Sequence, residues 1–293
     1  PPRSDGDLGA GNLRPHLNGN ITVKGMPAPE DKTGGELILN GLLIEGRLSV
    51  LKGNLGSLSI AHCTLLPGRG GLVAASDNPP SGTTSNQWLK IKLLRSVTGP
   101  VNLNTAMIDS LEIQDCVIDN KSSIAIDGVY VPATISASTI VGATHVKTLN
   151  ASNCIFMEDV KVERRQTGCV RFCYVPGLNP QIPRRYRCQP ELEITERIAE
   201  AEKAGFVSSA KKIKIRNKIL ASLVPGFTSL DNRHYAYAQL NRNCPVQITT
   251  GAEDGSEMGV FSFLKQPQRA ANLRIALEEY LPLGLEAGIF YIT

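Results

Sequence analysis

Apolar side chains recur in an eight-residue pattern along the first half of the chain. They occupy the first, third, sixth and eighth positions, as in residues 58–65 (LSIAHCTL). Further copies begin at Leu37, Leu89, Leu111, Ala133 and Leu149. Among these positions only Ser96 and Ser138 are polar. A unit that recurs at this spacing is typical of a solenoid, in which each unit forms one turn.

The spacing within one copy predicts two short strands joined by a bend. Positions one and three alternate, as do positions six and eight, so each pair can face one side of a strand. Side chains alternate between the two faces of a strand, and the step from position three to position six is odd. A straight strand would therefore point the second pair outward. A bend after position three would return that pair to the interior. Polar or small pairs such as Asn40-Gly41 and Gln114-Asp115 suit that bend. A third alternating stretch follows most copies, at residues 48–50, 72–74, 101–103, 124–126 and 160–162.

Three short strands per turn predict a mainly β protein built on a right-handed parallel β-helix solenoid over residues 21–175. Successive turns would lie about 4.8 Å apart, the spacing of neighbouring strands. Equivalent side chains would then stack inside the solenoid as ladders. The sixth-position ladder would contain Leu42, Cys63, Leu94, Cys116, Ser138 and Cys154.

A leucine-rich repeat is the rival interpretation, since residues 55–65, 108–118 and 146–156 also fit its consensus. That fold places a helix or a similar segment after each strand. Residues 66–88 instead contain prolines and several glycines, and residues 119–132 have the pattern of a turn and a strand. Neither stretch has the 3.6-residue apolar period of a helix, so the β-helix is favoured.

The remaining chain divides by composition. Residues 1–20 are an irregular N-terminal segment that lacks an initiator Met and a signal pattern, which suggests processing or a fragment. The solenoid at 21–175 is followed by 176–224, a Pro- and Arg-rich exit leading into a helical hairpin split at Gly205. Residues 225–293 are predicted to form a small α+β C-terminal cap, with a helix from Pro267 to Leu281 and a last strand at 289–292.

Charge and cysteine content narrow the functional classes. The net charge of +4 is spread along the chain and aromatic residues make up 5%, so no nucleic-acid partner is predicted. The basic run 211–218 is interpreted as a solvated helix face, and Arg184, Arg185 and Arg187 as a cap over the solenoid end, with an anionic surface as the alternative. No apolar run approaches 18 residues, so no membrane span is predicted.

Seven cysteines leave at least one thiol without a disulfide partner. Three are predicted in the core: Cys63, Cys116 and Cys154. Four are less regular and are interpreted as buried or loosely paired thiols: Cys169, Cys173, Cys188 and Cys244. Unpaired core thiols favour assembly in a reducing compartment.

No catalytic constellation is evident. Polysaccharide cleavage needs paired carboxylates, whereas Asp109, Asp115, Asp119 and Asp127 are predicted at different corners of one turn. The histidines lack metal-ligand spacing, and residues 251–259 are interpreted as a structured loop, with a cation site as the alternative. We therefore predict no enzyme, no catalytic, cofactor-binding or metal-binding residues, and no cofactor.

Two stretches carry a family resemblance: residues 174–190 (containing PRRYRCQP) and residues 251–289 (GAEDGSEMG, QPQRAANL and GLEAGI). Together they resemble bacterial parallel β-helix proteins associated with phage-tail-like contractile injection systems. The resemblance covers roughly residues 120–290. It implies a structural or surface subunit of a large particle assembled in the bacterial cytoplasm, and it implies no catalytic residues. The helical stretch 191–223 is longer than that group would lead us to expect.

The sequence thus predicts a non-enzymatic structural or surface-attachment subunit whose partners are other protein subunits. The thin, glycine-rich N-terminal end of the solenoid is the predicted docking face, because exposed strand edges must be covered or paired. The alternative is a carbohydrate-active β-helix protein that binds surface glycans or cleaves polysaccharides. The loop at 76–86 is the expected contact for a glycan.

Overall fold

The computed structural model describes residues 15–26, 34–75, 86–177, 180–282 and 285, and within them the protein is mainly β with few helices. One large parallel sheet holds these strands: β1 His16–Asn18, β2 Ile21–Val23, β3 Gly35–Asn40, β4 Leu43–Glu45, β5 Leu48–Val50, β6 Leu55–Ala61, β7 Thr64–Leu65, β8 Leu72–Ala74, β9 Lys90–Leu94, β10 Val97–Thr98, β11 Val101–Asn102, β12 Ser110–Gln114, β13 Val117–Ser136, β14 Thr139–Ser152, β15 Ile155–Phe156, β16 Val160–Val162, β17 Gly168–Arg171 and β18 Arg184–Tyr186. The helices are α1 Glu191–Lys203, α2 Ser209–Ser222, α3 Val246–Thr249 and α4 Gln266–Tyr280.

The pairing shows how the sheet is curled. Up to β12, each strand pairs in parallel with the third strand after it, which gives three stacks. The first stack contains β3, β6, β9 and β12, the second β1, β4, β7 and β10, and the third β2, β5, β8 and β11. The long strands β13 and β14 each contribute to all three stacks, because β13 begins against β10, continues against β11 and ends against β12. We call the stacks the first, second and third faces.

Inward-pointing apolar residues of the three faces form one continuous core. Leu58, Ile91, Leu111 and Leu149 occupy equivalent or neighbouring positions of the first face and are fully buried. Each such side chain contributes roughly 1.5–3 kcal/mol through its burial. The third alternating stretch of each unit supplies the remaining wall of this core, as predicted. No helix interrupts residues 34–75 or 86–177, so the leucine-rich repeat is excluded for this part of the chain.

The predicted bend is present between the first and second faces. One residue per turn adopts a left-handed backbone there, with φ between 44° and 71°. This conformation changes the chain direction and returns the next side chain to the interior, which accounts for the odd step in the pattern. Gly41 adopts it without steric cost, whereas the other corners place a side chain in a conformation that L-residues rarely adopt. The corner residues are Gly41, His62, Arg95, Asp115, Ala137, Asn153, Phe172 and Arg187.

The predicted register of the third copy, with its predicted start at Leu89, is wrong by two residues. Ile91, not Leu89, lies opposite Leu58 and Leu111. Ser96 therefore occupies the ladder position that Leu94 was predicted to hold, and Leu94 is only half-buried. The register was predicted wrongly for two reasons. Adjacent Leu93 and Leu94 fit either phase of the alternation, and the ladder accepts a polar residue, Ser96.

The corrected ladder explains the cysteines and serines. The backbone N–H that follows each corner must find an acceptor. A hydroxyl or thiol from the next turn supplies it: Cys63 N donates to Ser96 Oγ and Cys116 N to Ser138 Oγ, both at 3.1 Å. Ser138 Oγ donates in turn to Ser136 O at 2.7 Å. The ladder after Leu42 contains Cys63, Ser96, Cys116, Ser138, Cys154, Cys173 and Cys188.

The prediction of three core cysteines is confirmed, and the ladder adds two more. Cys63, Cys116 and Cys154 are at most 1% exposed, while Cys173 and Cys188, predicted as irregular, stack on them. Burial raises the pKa of Cys116 to about 12 and that of Cys188 to about 11. None of the seven cysteines, all of which lie in the described residues, forms a disulfide. The thiols of Cys116 and Cys188 therefore stay protonated at neutral pH, and the buried cysteines act as small core fillers.

The helices α1 and α2 form a hairpin beside the last turns of the sheet, on either side of Gly205. Ser208 caps α2 by accepting a hydrogen bond from Lys211 N at 3.3 Å. Ile194 and Ile219 are the buried residues of the two helices, and they join a second apolar cluster with Ile155 and Tyr174 on the outside of the second face.

Residues 225–262 run along the side of the second face, whereas the sequence predicted a cap across the end of the solenoid. Asn232 Nδ2 reaches Pro67 O at 3.2 Å, and Val260 N donates to Thr139 Oγ1 at 3.1 Å. The physical reason is that the outward side of this face is apolar at Val97 and Val117 and needs cover. The predicted helix after Pro267 is α4, which has no buried residue, and the predicted strand at 289–292 lies outside the described residues.

We call residues 225–262 the side cover. A buried hydrogen bond attaches the side cover to the second face. Tyr237 Oη donates to Asp119 Oδ2 at 2.7 Å, and Asp119 is 5% exposed. Burial, followed by this bond to Asp119, raises the pKa of Tyr237, so the phenol remains a donor. The bond joins positions that are 118 residues apart in the chain.

Tyr237→Phe should destabilise the protein by about 1–3 kcal/mol, because the buried Asp119 carboxylate would lose its donor. Urea unfolding followed by circular dichroism measures this loss. Tyr235→Phe is the control, since Tyr235 is 86% exposed and should be neutral. Superimposable curves for Tyr237→Phe and the wild type would show that the bond does not hold the cover in place.

Candidate functional site

The four aspartates considered for polysaccharide cleavage do not converge. Asp109 precedes the first face and lies 3.8 Å from Lys90 Nζ. Asp115 is at a corner, 3.5 Å from Arg95 Nε, and Asp119 bonds to Tyr237. Asp127 lies in the third face, where its backbone is paired with that of Asn102. Each carboxylate therefore has its own surroundings, and no acid–base pair forms among them.

The other predicted candidates are also dispersed. His16 lies 3.3 Å from Glu45, and His234 stacks on Tyr235 with ring centroids 4.4 Å apart. Within the described ranges no three His, Cys, Asp or Glu side chains are placed to hold a metal ion. The structured-loop interpretation of residues 251–259 is confirmed, because Ser256 Oγ donates to Asp254 Oδ1 at 2.5 Å and Lys265 also pairs with Asp254.

The basic residues take separate roles. On α2, Lys211, Lys214 and Lys218 are exposed, as expected of a solvated face. At the exit, Arg185 Nη1 lies 2.6 Å from Glu191 Oε2 and so ties β18 to the start of α1. In the parts of the chain that the structure describes, no helix is long and apolar enough to cross a membrane.

The first candidate site is the open edge at the N-terminal end of the sheet, which we define as the outer edges of β1, β2 and β3. Each of these strands pairs on one side, with β4, β5 and β6 respectively. No described strand pairs with the other side. All three residues of β1 are exposed, and Leu17 is 44% exposed.

The backbone groups of the open edge can be assigned from the register. Ile21 N donates to Arg47 O, and Val23 O accepts from Leu51 N, so both residues bond to β5. Because parallel strands alternate their bonding side residue by residue, the N–H and C=O of Thr22 point to the outer edge. The edge can therefore accept another strand through main-chain hydrogen bonds.

The second candidate site is a cleft of about 590 Å³ near the other end, which we call the corner cleft. It lies between the last corners of the sheet, the first turns of α1 and the loop at 247–255. Its volume is within the range of small-molecule sites in proteins. The lining residues that carry its chemistry are Phe172, Arg187, Gln189, Glu193, Glu196 and Glu253.

Local structure explains why these side chains meet. Phe172 and Arg187 occupy consecutive left-handed corners, which project their side chains away from the core. Glu253 N donates to Asn153 Oδ1 at 2.9 Å, so the preceding corner holds the loop in place. Glu193 lies one turn into α1, where its backbone N–H donates to Gln189 Oε1 at 3.3 Å.

Two of the three carboxylates in the corner cleft already have cationic partners. Glu193 Oε1 lies 2.7 Å from Arg197 Nε, and Glu253 Oε2 lies 3.8 Å from Arg171 Nη2. The side chain of Glu196 makes no hydrogen bond or ion pair with the described residues, and Glu196 lines the same cleft as Arg187. The cleft thus combines acceptors and donors with little net charge.

Comparison of the chain with protein-family models, with curated proteins and with solved structures gives no match. Function is therefore inferred from the open edge and the corner cleft themselves. The loop at 76–85, the main part of the predicted glycan contact, lies outside the described residues.

Sequence reasoning missed the corner cleft because its members come from distant parts of the chain. The corner series was a usable signal, since Phe172 and Arg187 each precede a cysteine, as His62 and Asp115 do. Extending the eight-residue pattern beyond residue 156 would have placed Phe172 at the corner of a copy at 168–175. Their meeting with α1 and with the 247–255 loop has no signature in the sequence.

Proposed function

We propose that this protein is a non-enzymatic structural subunit of a large bacterial assembly, joined to its neighbour through the open edge. The proposed form is a right-handed parallel β-helix with a helical hairpin at its C-terminal end. Right-handedness is supported by the strong preference of connections between parallel strands. The resemblance of residues 174–190 and 251–289 to proteins of phage-tail-like contractile particles suggests the kind of assembly.

The outer edges of β1, β2 and β3, with which no strand of the described residues pairs, are the observation that carries this proposal. Three edges arranged around one core present main-chain donors and acceptors on all sides of the first turn. Such edges invite pairing with another chain, and proteins normally cover them. Another strand-bearing domain or subunit can continue the stack at the same spacing.

The two ends of the sheet differ in a way that favours the N-terminal end. The last strand, β18, is followed almost at once by α1, and the ion pair of Arg185 with Glu191 ties the start of that helix to the strand. Leu37 and Leu39, at the open edge, are only partly buried although they point toward the core. Added cover at the open edge would therefore bury further apolar surface as well as backbone groups.

Thr22→Pro should abolish this assembly while leaving the fold intact. Proline removes the outward N–H of Thr22 and places a ring on the edge, but it takes no bond from the pairing with β5, and edge strands tolerate proline. In size-exclusion chromatography with light scattering on material from the source cells, the wild-type chain should elute in a complex far larger than its own 31.6 kDa. The Thr22→Pro chain should elute alone.

Thr22→Ala is the matched control, because it removes the same side chain and keeps the backbone donor, so it should assemble like the wild type. Circular dichroism must show equal β content for all three chains. A wild-type chain that is a monodisperse monomer and co-purifies with no large complex would contradict the proposal. So would a Thr22→Pro chain that remains in the complex.

A further inference from the structure

We propose that the corner cleft binds a neutral oligosaccharide. This site is separate from the open edge, and the inference does not depend on the assembly role. The starting observation is a cleft of about 590 Å³ whose wall carries carboxylate, guanidinium, carboxamide and aromatic groups together. A ligand that satisfies such a wall must offer many hydrogen-bond donors and acceptors and an apolar face.

A carboxamide in the wall of the cleft can donate a hydrogen bond to a polar ligand. Gln189 is 6% exposed, and its Oε1 accepts the backbone N–H of Glu193 at 3.3 Å. That bond fixes which end of the carboxamide faces α1. The Nε2 group lines the cleft and donates to none of the described residues. A ligand hydroxyl or carbonyl in the cleft would accept from it.

The charges in the cleft favour a neutral ligand over an ionic one. Arg197 and Arg171 offset Glu193 and Glu253. The groups that remain are Glu196 and Arg187, one of each sign. An acidic polymer would be repelled by Glu196, and a cationic ligand would be repelled by Arg187. Sugar hydroxyls can donate to a carboxylate and accept from a guanidinium, so they can satisfy both groups.

The aromatic ring supplies the apolar part of the recognition. Phe172 lines the cleft and is held edge-to-face by Tyr186, with ring centroids 5.6 Å apart and planes at 82°. This contact fixes the ring orientation, and rings in such pairs gain stability beyond their burial. The C–H face of a pyranose is apolar and can lie on a ring held in this way, while its hydroxyls reach Glu196 and Arg187.

Isothermal titration calorimetry with the full chain tests this inference. The probes are neutral tetrasaccharides built from glucose, mannose, galactose and N-acetylglucosamine, with polygalacturonate as the acidic comparison. We expect saturable binding of at least one neutral probe, weakened at least tenfold by Glu196→Ala and by Arg187→Ala. Gln189→Met, which keeps the volume but removes the free donor, should weaken it as well.

Glu200→Ala is the matched control, since Glu200 lies one turn further along α1, is exposed and does not line the cleft. It should bind like the wild type. Absence of saturable binding for every neutral probe, binding of polygalacturonate alone, or equal affinity in the wild-type and cleft variants would overturn the inference. Thr22→Pro should bind the sugar normally, so failure of the assembly proposal and failure of this one are distinguishable.

Discussion

Ile113→Asp is expected to unfold the protein. Ile113 lies in the middle of β12, is 1% exposed, and stacks between Leu93 of the turn before and Ile135 of the turn after. A carboxylate at this position would have no donor within the apolar core, and burying an unpaired charge costs several kcal/mol. Domains of this kind are stable by only about 5–15 kcal/mol in total. The loss of the isoleucine contacts adds to the cost.

The measurement is thermal and urea unfolding followed by far-ultraviolet circular dichroism. Glu112→Ser is the matched control, because Glu112 is the neighbouring outward residue and its pair with Lys92, at 3.4 Å, is exposed to solvent. Exposed pairs contribute about 0–1 kcal/mol, so this variant should unfold almost like the wild type. A folded Ile113→Asp chain with wild-type stability would mean that the ladder of Leu93, Ile113 and Ile135 is not in the core.

The stacked strands could be predicted because their signal is local. Alternation of side chains and the odd step of the bend are both visible within eight residues, and they repeat. The prediction failed at the third copy, where Leu93 and Leu94 are both apolar and the alternation alone cannot choose between them. A polar Ser96 in the core also looked like an exception, although it follows the same hydrogen-bonding rule as Cys116 and Ser138.

The side cover could not be predicted, because its contacts join distant positions. Tyr237 bonds to Asp119, and Val260 bonds to Thr139 across 121 residues. Residues 225–262 have no apolar period of their own, since they are shaped by the face that they cover. The corner cleft could not be predicted for the same reason. The corners and α1 are local structures, but the cleft between them depends on how the side cover and α1 pack against the sheet.

A buried carboxyl group in this cover should make the stability of the protein depend on pH. Glu257 is 7% exposed and belongs to the segment that Asn153 anchors through Glu253 N and Gly259 N. It makes no ion pair or hydrogen bond with the described residues. Burial raises the pKa of Glu257 from 4.5 to about 7. Its charged form is therefore penalised in the folded state and not in the unfolded state.

The direction of the effect follows from proton linkage. Below pH 4.5 both states hold the proton and Glu257 carries no penalty. As the pH rises from 4.5 to about 7, the unfolded state releases its proton first, so stability falls by about 1.4 kcal/mol per pH unit. Above about pH 7 the folded state also ionises and the loss levels off. The full loss is about 3 kcal/mol.

Glu257→Gln should therefore stabilise the protein by about 3 kcal/mol at pH 8 and by almost nothing at pH 4.5, because glutamine has a similar shape and never ionises. Urea unfolding at a series of pH values, measured on the wild type and the variant in parallel, isolates this one group from all other titrations. Glu253→Gln is the control on the same segment: its side chain is half exposed, so it should show no comparable gain at pH 8. A stability difference between the wild type and Glu257→Gln that is the same at pH 4.5 and pH 8 would show that the carboxyl is not buried in the folded state as the structure has it.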